Sequence, residues 1–176
     1  MNEEEAVLRA KRVKLMLFDV DGVMTDGRLW YGPEGETLKS FSVLDGHGLK
    51  LLMDAGLLTG LLSGRRSPAA AQRAAELGIP HVLLGIEDKR AAFEALGVRL
   101  GVAPAEIGFM GDDVVDLPVL RRCGFACAPP GAHALVIADA HYVTRAAGGS
   151  GAVREVCELL LRAQGRLDGA LAGYLA

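Results

Sequence analysis

Aromatic residues make up only 5% of the 176-residue chain, with a single tryptophan, Trp30. A core must therefore be built from aliphatic side chains, and at 51% hydrophobic residues there are enough for one core of Leu, Val and Ala around a sheet. Cysteine is equally sparse: Cys123, Cys127 and Cys157 cannot all pair within one chain, and no histidine stands at zinc-ligand spacing from them. Three reduced, mostly buried thiols are the expectation. A basic excess is missing too; the net charge of −3 gives no electrostatic case for nucleic acid, so an anionic ligand has to be drawn by local cations. No apolar run reaches the length of a membrane span, and Met1-Asn2-Glu3-Glu4-Glu5 is acidic where a signal peptide is basic, so a cytoplasmic protein is expected. Repeats, low-complexity tracts and linkers are absent, and one domain over residues 1–176 is the expectation.

What is present starts at residues 15 to 22, Leu-Met-Leu-Phe-Asp-Val-Asp-Gly. A continuous apolar run suits a strand buried on both faces, and ligands of open α/β sheets gather outside the carboxyl ends of such strands, where Asp19 and Asp21 stand. A bare Asp-Gly turn is the competing account of this segment. Other segments weigh against it. Ile107 to Met110 is a second short apolar run that ends in Gly111-Asp112-Asp113, with Asp116 beyond, and Leu57 to Leu62 ends in Ser63-Gly64-Arg65. Lys89 opens a helical stretch after Asp88; alone it reads as an ordinary solvated lysine.

The wider pattern alternates strand and helix, which implies a doubly wound α/β fold with a mainly parallel sheet. Strands are expected at Val13 to Phe18, Leu57 to Leu62, His81 to Leu84, Ile107 to Met110, Phe125 to Ala126 and Tyr142 to Val143. Helices are expected at Gly46 to Ala55, Ser67 to Leu77, Asp88 to Leu100, Val114 to Arg122 and Gly151 to Ala163, several stopping at a glycine suited to a C-cap. One segment departs from the alternation: Arg28 to Tyr31, a turn at Gly32 to Glu36, and Thr37 to Val43 read as a β-hairpin over the mouth of the crevice.

Asp19-Val20-Asp21-Gly22, Ser63, Lys89 and Gly111-Asp112-Asp113-Val114-Val115-Asp116, in that order, resemble the four motifs of the haloacid dehalogenase superfamily of phosphohydrolases. The segments 19–27, 44–50 and 148–155 narrow the resemblance to the 3-deoxy-D-manno-octulosonate 8-phosphate phosphatases, from about Val13 to about Gly165. Larger members insert a cap domain near the hairpin position, and this chain lacks the residues for one.

The resemblance implies a Mg²⁺-dependent phosphomonoesterase of lipopolysaccharide precursor synthesis. Asp19 and Asp112 carboxylates and the Asp21 backbone carbonyl would hold the metal; Asp19 would be the nucleophile and Asp21 the acid and base. Ser63 and Lys89 would hold the phosphoryl group, assisted by backbone N–H groups near Gly22 and Gly64. Asp113 and Asp116 would hold the metal waters and Lys89. Ser63 stands where threonine is commoner, and its hydroxyl serves equally. Arg65 and Arg73 match family positions suited to a sugar-acid carboxylate, each with a surface role as the competing account.

A homotetramer is implied as well, with sites shared between subunits and Trp30, Tyr31 and Phe41 at an interface. The tail, 165–176, would either fold over a neighbouring site or dock Leu171, Tyr174 and Leu175 on the surface. His47, between two glycines, is read as a loop histidine. Two other functions remain open: a phosphatase for a nine-carbon, sialic-acid-type 9-phosphate, and a phospho-accepting receiver module. The Asp19/Asp21 spacing and the hairpin argue against the receiver.

Overall fold

The computed structural model describes residues 3–175, so Met1 and Asn2 of the acidic start and Ala176 of the tail lie outside it. Six parallel strands form the central sheet: β1 (Leu15–Phe18), β4 (Leu58–Ser63), β5 (His81–Leu84), β6 (Ile107–Met110), β7 (Phe125–Ala128) and β8 (Tyr142–Val143). Their order across the sheet is β5-β4-β1-β6-β7-β8. After β1 the chain builds outward through β4 and β5, then returns to the other side of β1 for β6. That reversal is the topological switch point where such sheets open a crevice.

Side chains along β1 alternate between two cores. Met16 and Phe18 face one, Leu15 and Leu17 the other, and all four are fully buried. The first core is covered by α1 (Glu3–Ala10), α2 (Val43–Asp54), α3 (Pro68–Leu77) and α7 (Ala152–Ala163). The second lies under α4 (Lys89–Leu100), α5 (Leu117–Leu120) and α6 (Ala134–Asp139). Helix starts follow local chemistry: Ser67 and Asp88 accept from the N–H groups of Ala70 and Ala91, and Pro68 takes the first helical position of α3. Gly78 and Gly101 end α3 and α4 as left-handed caps.

Three expectations are revised. The expected helix from Val114 splits into a 3₁₀ turn, Val114–Asp116, and the short α5, because Asp113 and Asp116 turn their carboxylates back onto the backbone and Pro118 restarts the chain. The hairpin is tighter, with β2 (Trp30–Gly32) and β3 (Gly35–Leu38) paired antiparallel. It cannot extend to Val43, because Ser42 accepts from Asp45 N–H and starts α2 there. His47 therefore lies on a helix, not a loop. The tail forms α8 (Leu167–Leu171), whose Leu167, Ala170 and Leu171 pack on the first core. Tyr174 sets its ring edge-on to His47 at 5.3 Å, while Leu175 is exposed. No helix among the described residues is long and apolar enough to cross a membrane.

Candidate active site

Beyond the carboxyl ends of β1, β4 and β6 lies a crevice of about 360 Å³ lined by Asp19, Asp21, Ser63, Gly64, Arg65, Lys89, Asp112 and Asp113, with Gly27, Ile86, Glu87 and Val115. Strand ends from 19, 63 and 110 are neighbours in the sheet, which is why residues nearly a hundred positions apart meet.

Asp19 is almost wholly buried; its Oδ1 accepts the Val20 N–H at 2.7 Å and its Oδ2 lies 3.0 Å from Lys89 Nζ. Lys89, far from being a solvated lysine, is 5% exposed at the first position of α4 and donates to Asp116 at 2.6 Å. Burial works against its charge, but Asp19 and Asp116 outweigh it and hold its pKa above the usual lysine value. Asp116 is fully buried, and its second oxygen takes the N–H groups of Asp112 and Asp113 at 2.9 and 3.2 Å. Asp113 is exposed and accepts from Val114 N–H. Lys89 is thus gripped by Asp116, and no contact links it to Asp113 among the described residues.

Oxygens of Asp19, Asp112 and Asp116 all lie within 4.8 Å of one another. Burial, reinforced by Asp19, Asp116 and Asp113, pushes the Asp112 carboxyl up to about 7. Asp19 is raised as well, by burial first, with Lys89 opposing. Asp116 has both oxygens occupied by donors. Asp19 and Asp112 therefore offer the oxygens, and hard carboxylates that repel one another suit a small divalent cation such as Mg²⁺. The loop between them is closely fitted. Gly22 has φ +85°, and a Cβ there would lie 2.0 Å from an Asp112 carboxylate oxygen. Buried Thr25 pins the same loop, accepting from the Gly22 and Gly27 N–H groups and donating to Val20 O.

Ser63, 3% exposed, ends β4, and its hydroxyl lies 3.5 Å from the Arg65 N–H. Arg65 reaches into the crevice, where its Nη2 donates to Glu36 at 2.9 Å and to the Tyr31 hydroxyl at 3.0 Å. Arg73 does not line the crevice. Its guanidinium lies over the start of α2, 3.5 Å from Ser42 O and against Gly46. Two residues that the sequence reading passed over belong to the site's edge. Lys39, following β3, has a fully buried side chain that forms an ion pair with Asp21 Oδ1 and another with Glu36 at 3.3 Å. Glu36 also accepts from Ser67 at 2.7 Å; burial alone would raise its pKa, but Ser67, Arg65 and Lys39 hold it below the usual carboxylate value. Alternation along a short strand was the available signal, and it does not distinguish an inward charge from a solvated one.

The segment 44–50 has a structural task. Buried Asp45 accepts from the N–H groups of Gly151 and Arg154 at 3.2 and 2.8 Å, joining α2 to the start of α7. Just before α7, Gly148 meets the loop after β1 so closely that a Cβ would lie 1.8 Å from Gly22 O.

No family model matches the chain. The 3-deoxy-D-manno-octulosonate 8-phosphate phosphatase KdsC of Escherichia coli K12 is 43% identical over 164 residues, covering 93% of this chain and 87% of that protein. The chain belongs to this phosphatase family. The crystal structure of a family member from Moraxella catarrhalis, in complex with magnesium ion, phosphate ion and KDO, superposes with a TM-score of 0.95 at 40% identity, covering 98% of this chain and 99% of that one. The cobalt-bound Haemophilus influenzae phosphatase gives 0.90 at 40% identity, covering 96% and 99%. The six-stranded sheet and the hairpin after β1 are accordingly the haloacid dehalogenase fold of a 3-deoxy-D-manno-octulosonate 8-phosphate phosphatase.

Proposed function

We propose that the chain is a Mg²⁺-dependent phosphatase that hydrolyses 3-deoxy-D-manno-octulosonate 8-phosphate to the free sugar acid and phosphate, in lipopolysaccharide precursor synthesis. The observation that carries this reading is the convergence of Asp19, Asp112, Ser63 and Lys89 on one crevice, in a family whose Moraxella member binds magnesium, phosphate and KDO.

A phosphate monoester resists attack because its charge repels nucleophiles, so the site must neutralise that charge and align the attack. Asp19 and Asp112, with the Asp21 carbonyl, would hold Mg²⁺, which when bound supplies positive charge at the phosphoryl oxygens. Asp19 attacks phosphorus and the ester bond breaks, leaving an aspartyl-phosphate; Asp21 gives its proton to the departing sugar oxygen. Asp21 then takes a proton from the water that attacks phosphorus, and Asp19 and inorganic phosphate are released. Lys89, fixed against Asp116, and the Ser63 hydroxyl stabilise the phosphoryl group, with backbone N–H groups near Gly22 and Gly64. Asp113, which lines the crevice rim, would order water around the bound cation. Arg65 is the stronger candidate for the sugar-acid carboxylate, since it already holds one in Glu36. Arg73 contributes by supporting α2, or from an assembled neighbour.

The chain works as one domain and as a homotetramer in this reading. Trp30, Tyr31 and Leu38 are all more than half exposed on the hairpin, which supports an interface there; Phe41, by contrast, packs against the chain's own core. Three free, buried cysteines suit a reducing cytoplasm. The test is phosphate release from the eight-carbon 8-phosphate and from nine-carbon sugar-acid 9-phosphates, with Mg²⁺ or EDTA and Asp19→Asn as the blank, alongside sedimentation analysis. Mg²⁺-dependent preference for the eight-carbon ester is expected. Turnover of the nine-carbon ester alone would replace the substrate, and no turnover of either would overturn the reading.

A further inference from the structure

The acidic groups of the crevice are not all held in the same way. Asp19 is fixed by Val20 N–H and Lys89, and Asp116 by Lys89 and two backbone N–H groups, all from the α/β body. Asp21 has no such support: among the described residues no backbone N–H donates to its carboxylate. Its Oδ1 is taken by Lys39, which comes from the far side of the hairpin, and its Oδ2 makes no hydrogen bond among the described residues. Oδ2 lies 3.6 Å from Arg65 Nε, an ion-pair separation too long for a hydrogen bond, and that Nε likewise makes no hydrogen bond among the described residues. Buried polar groups are ordinarily paired, so a facing acceptor and donor left over at a crevice mark a place where a substrate atom completes the bonding.

We propose that Lys39 is a positioning residue for the general acid: by holding Asp21 Oδ1 from the hairpin, it turns Oδ2 toward Arg65 as the oxygen that hands the proton to the leaving group. Glu36 completes the device. It accepts from Arg65 and Ser67 and pairs with Lys39, so one carboxylate from the hairpin sets both the residue that aims the acid and the residue that faces it. The Lys39 side chain is fully buried, and an ammonium group is withdrawn from water only where partners repay the desolvation. Two carboxylates do so here, one of them catalytic.

The inference rests on the assignment of Asp21 as acid, and the experiment separates the two. The quantity measured is kcat/KM, which ends at phosphoryl transfer and so omits the later hydrolysis of the aspartyl-phosphate. It is compared for 3-deoxy-D-manno-octulosonate 8-phosphate, whose alkoxide needs a proton to leave, and for p-nitrophenyl phosphate, whose phenolate does not. Lys39→Met is expected to lower the first by about tenfold to a hundredfold and the second by less than about threefold, within the range that general acids supply. Lys39→Arg, which keeps a buried cation, is expected to restore most of the sugar-phosphate rate and serves also if the Met variant folds poorly. Asp21→Asn should show the same selectivity more strongly. Selective loss in Asp21→Asn with equal losses on both esters in the Lys39 variants would overturn the role of Lys39 and leave Asp21 as the acid. Equal losses in Asp21→Asn would overturn the acid assignment and the inference with it.

Discussion

Lys89 Nζ lies 2.6 Å from Asp116 Oδ1, between side chains that are 5% and 0% exposed, and the same ammonium stands 3.0 Å from Asp19. One buried cation therefore balances a cluster of acids. Lys89→Met leaves Asp19, Asp112 and Asp116 facing one another. We expect a loss of about 3 kcal/mol in the metal-free protein, the scale for breaking a buried ion pair from one side. Mg²⁺ should recover part of the thermal midpoint, while phosphate release stays down by at least about a hundredfold. Thermal melts with Mg²⁺ and with EDTA decide it; a deficit unaffected by Mg²⁺ contradicts the electrostatic account.

Gly22→Ala places a methyl group 2.0 Å from the Asp112 carboxylate oxygen, at φ +85°. The left-handed backbone alone costs about 1–2 kcal/mol for a residue with a side chain, and the clash must also displace the carboxylate proposed to hold Mg²⁺. The expected outcome is a folded protein, by circular dichroism, with weakened Mg²⁺ binding by calorimetry and turnover lost in parallel. Unchanged Mg²⁺ affinity would show that Asp112 is not a ligand.

Asp45→Ala removes the acceptor for the Gly151 and Arg154 N–H groups. Loss of a helix cap of this kind costs about 1–2 kcal/mol. Because Gly148, just before α7, abuts Gly22, activity should fall beyond what the stability loss explains. Asp45→Asn keeps one acceptor oxygen and should lose less. Urea midpoints and kcat, measured on the same preparations, test both statements.

His141 Nδ1 accepts the Ala126 N–H at 2.8 Å, which requires a neutral ring. Burial, then the nearby Arg9, lowers its pKa below 6.5. With the folded value depressed, the stabilisation is present above the unfolded value and is lost as pH falls through the folded one. Wild type should exceed His141→Phe in thermal midpoint at pH 8, and the gap should narrow toward pH 5. Parallel curves would refute the neutral-acceptor role.

The strands and the meeting of most candidate site positions in one crevice were legible because they depend on local pattern. β5, β6 and β8 lie where their apolar runs place them, and Asp19, Ser63 and Asp112 stand at strand ends that adjacency in a parallel sheet must bring together. α1 and α6 were not anticipated: each is short, and only pairs such as Ala6 and Ala10 betray a buried stripe. The division of labour within Asp112-Asp113-Val114-Val115-Asp116 was illegible too, since a 3₁₀ turn sends Asp116 inward and leaves Asp113 at the rim. Lys39–Asp21 and Arg65–Glu36 join residues 18 and 29 positions apart. Nothing local in sequence announces such pairs; they follow from how the hairpin lies on the body.

A two-stranded ribbon is marginal by itself, and this one is tied down through Asp21, Arg65 and Ser67. The arm is consequently not a modular attachment. A chimera that exchanged residues 28–39 for the arm of a distant phosphatase would exchange the support of the Asp21 side chain along with the exposed surface. Its two faces should therefore answer to different selection: Trp30 and Leu38 free to drift with whatever they meet outside, Glu36 and Lys39 bound to change only in step with Arg65 and Asp21.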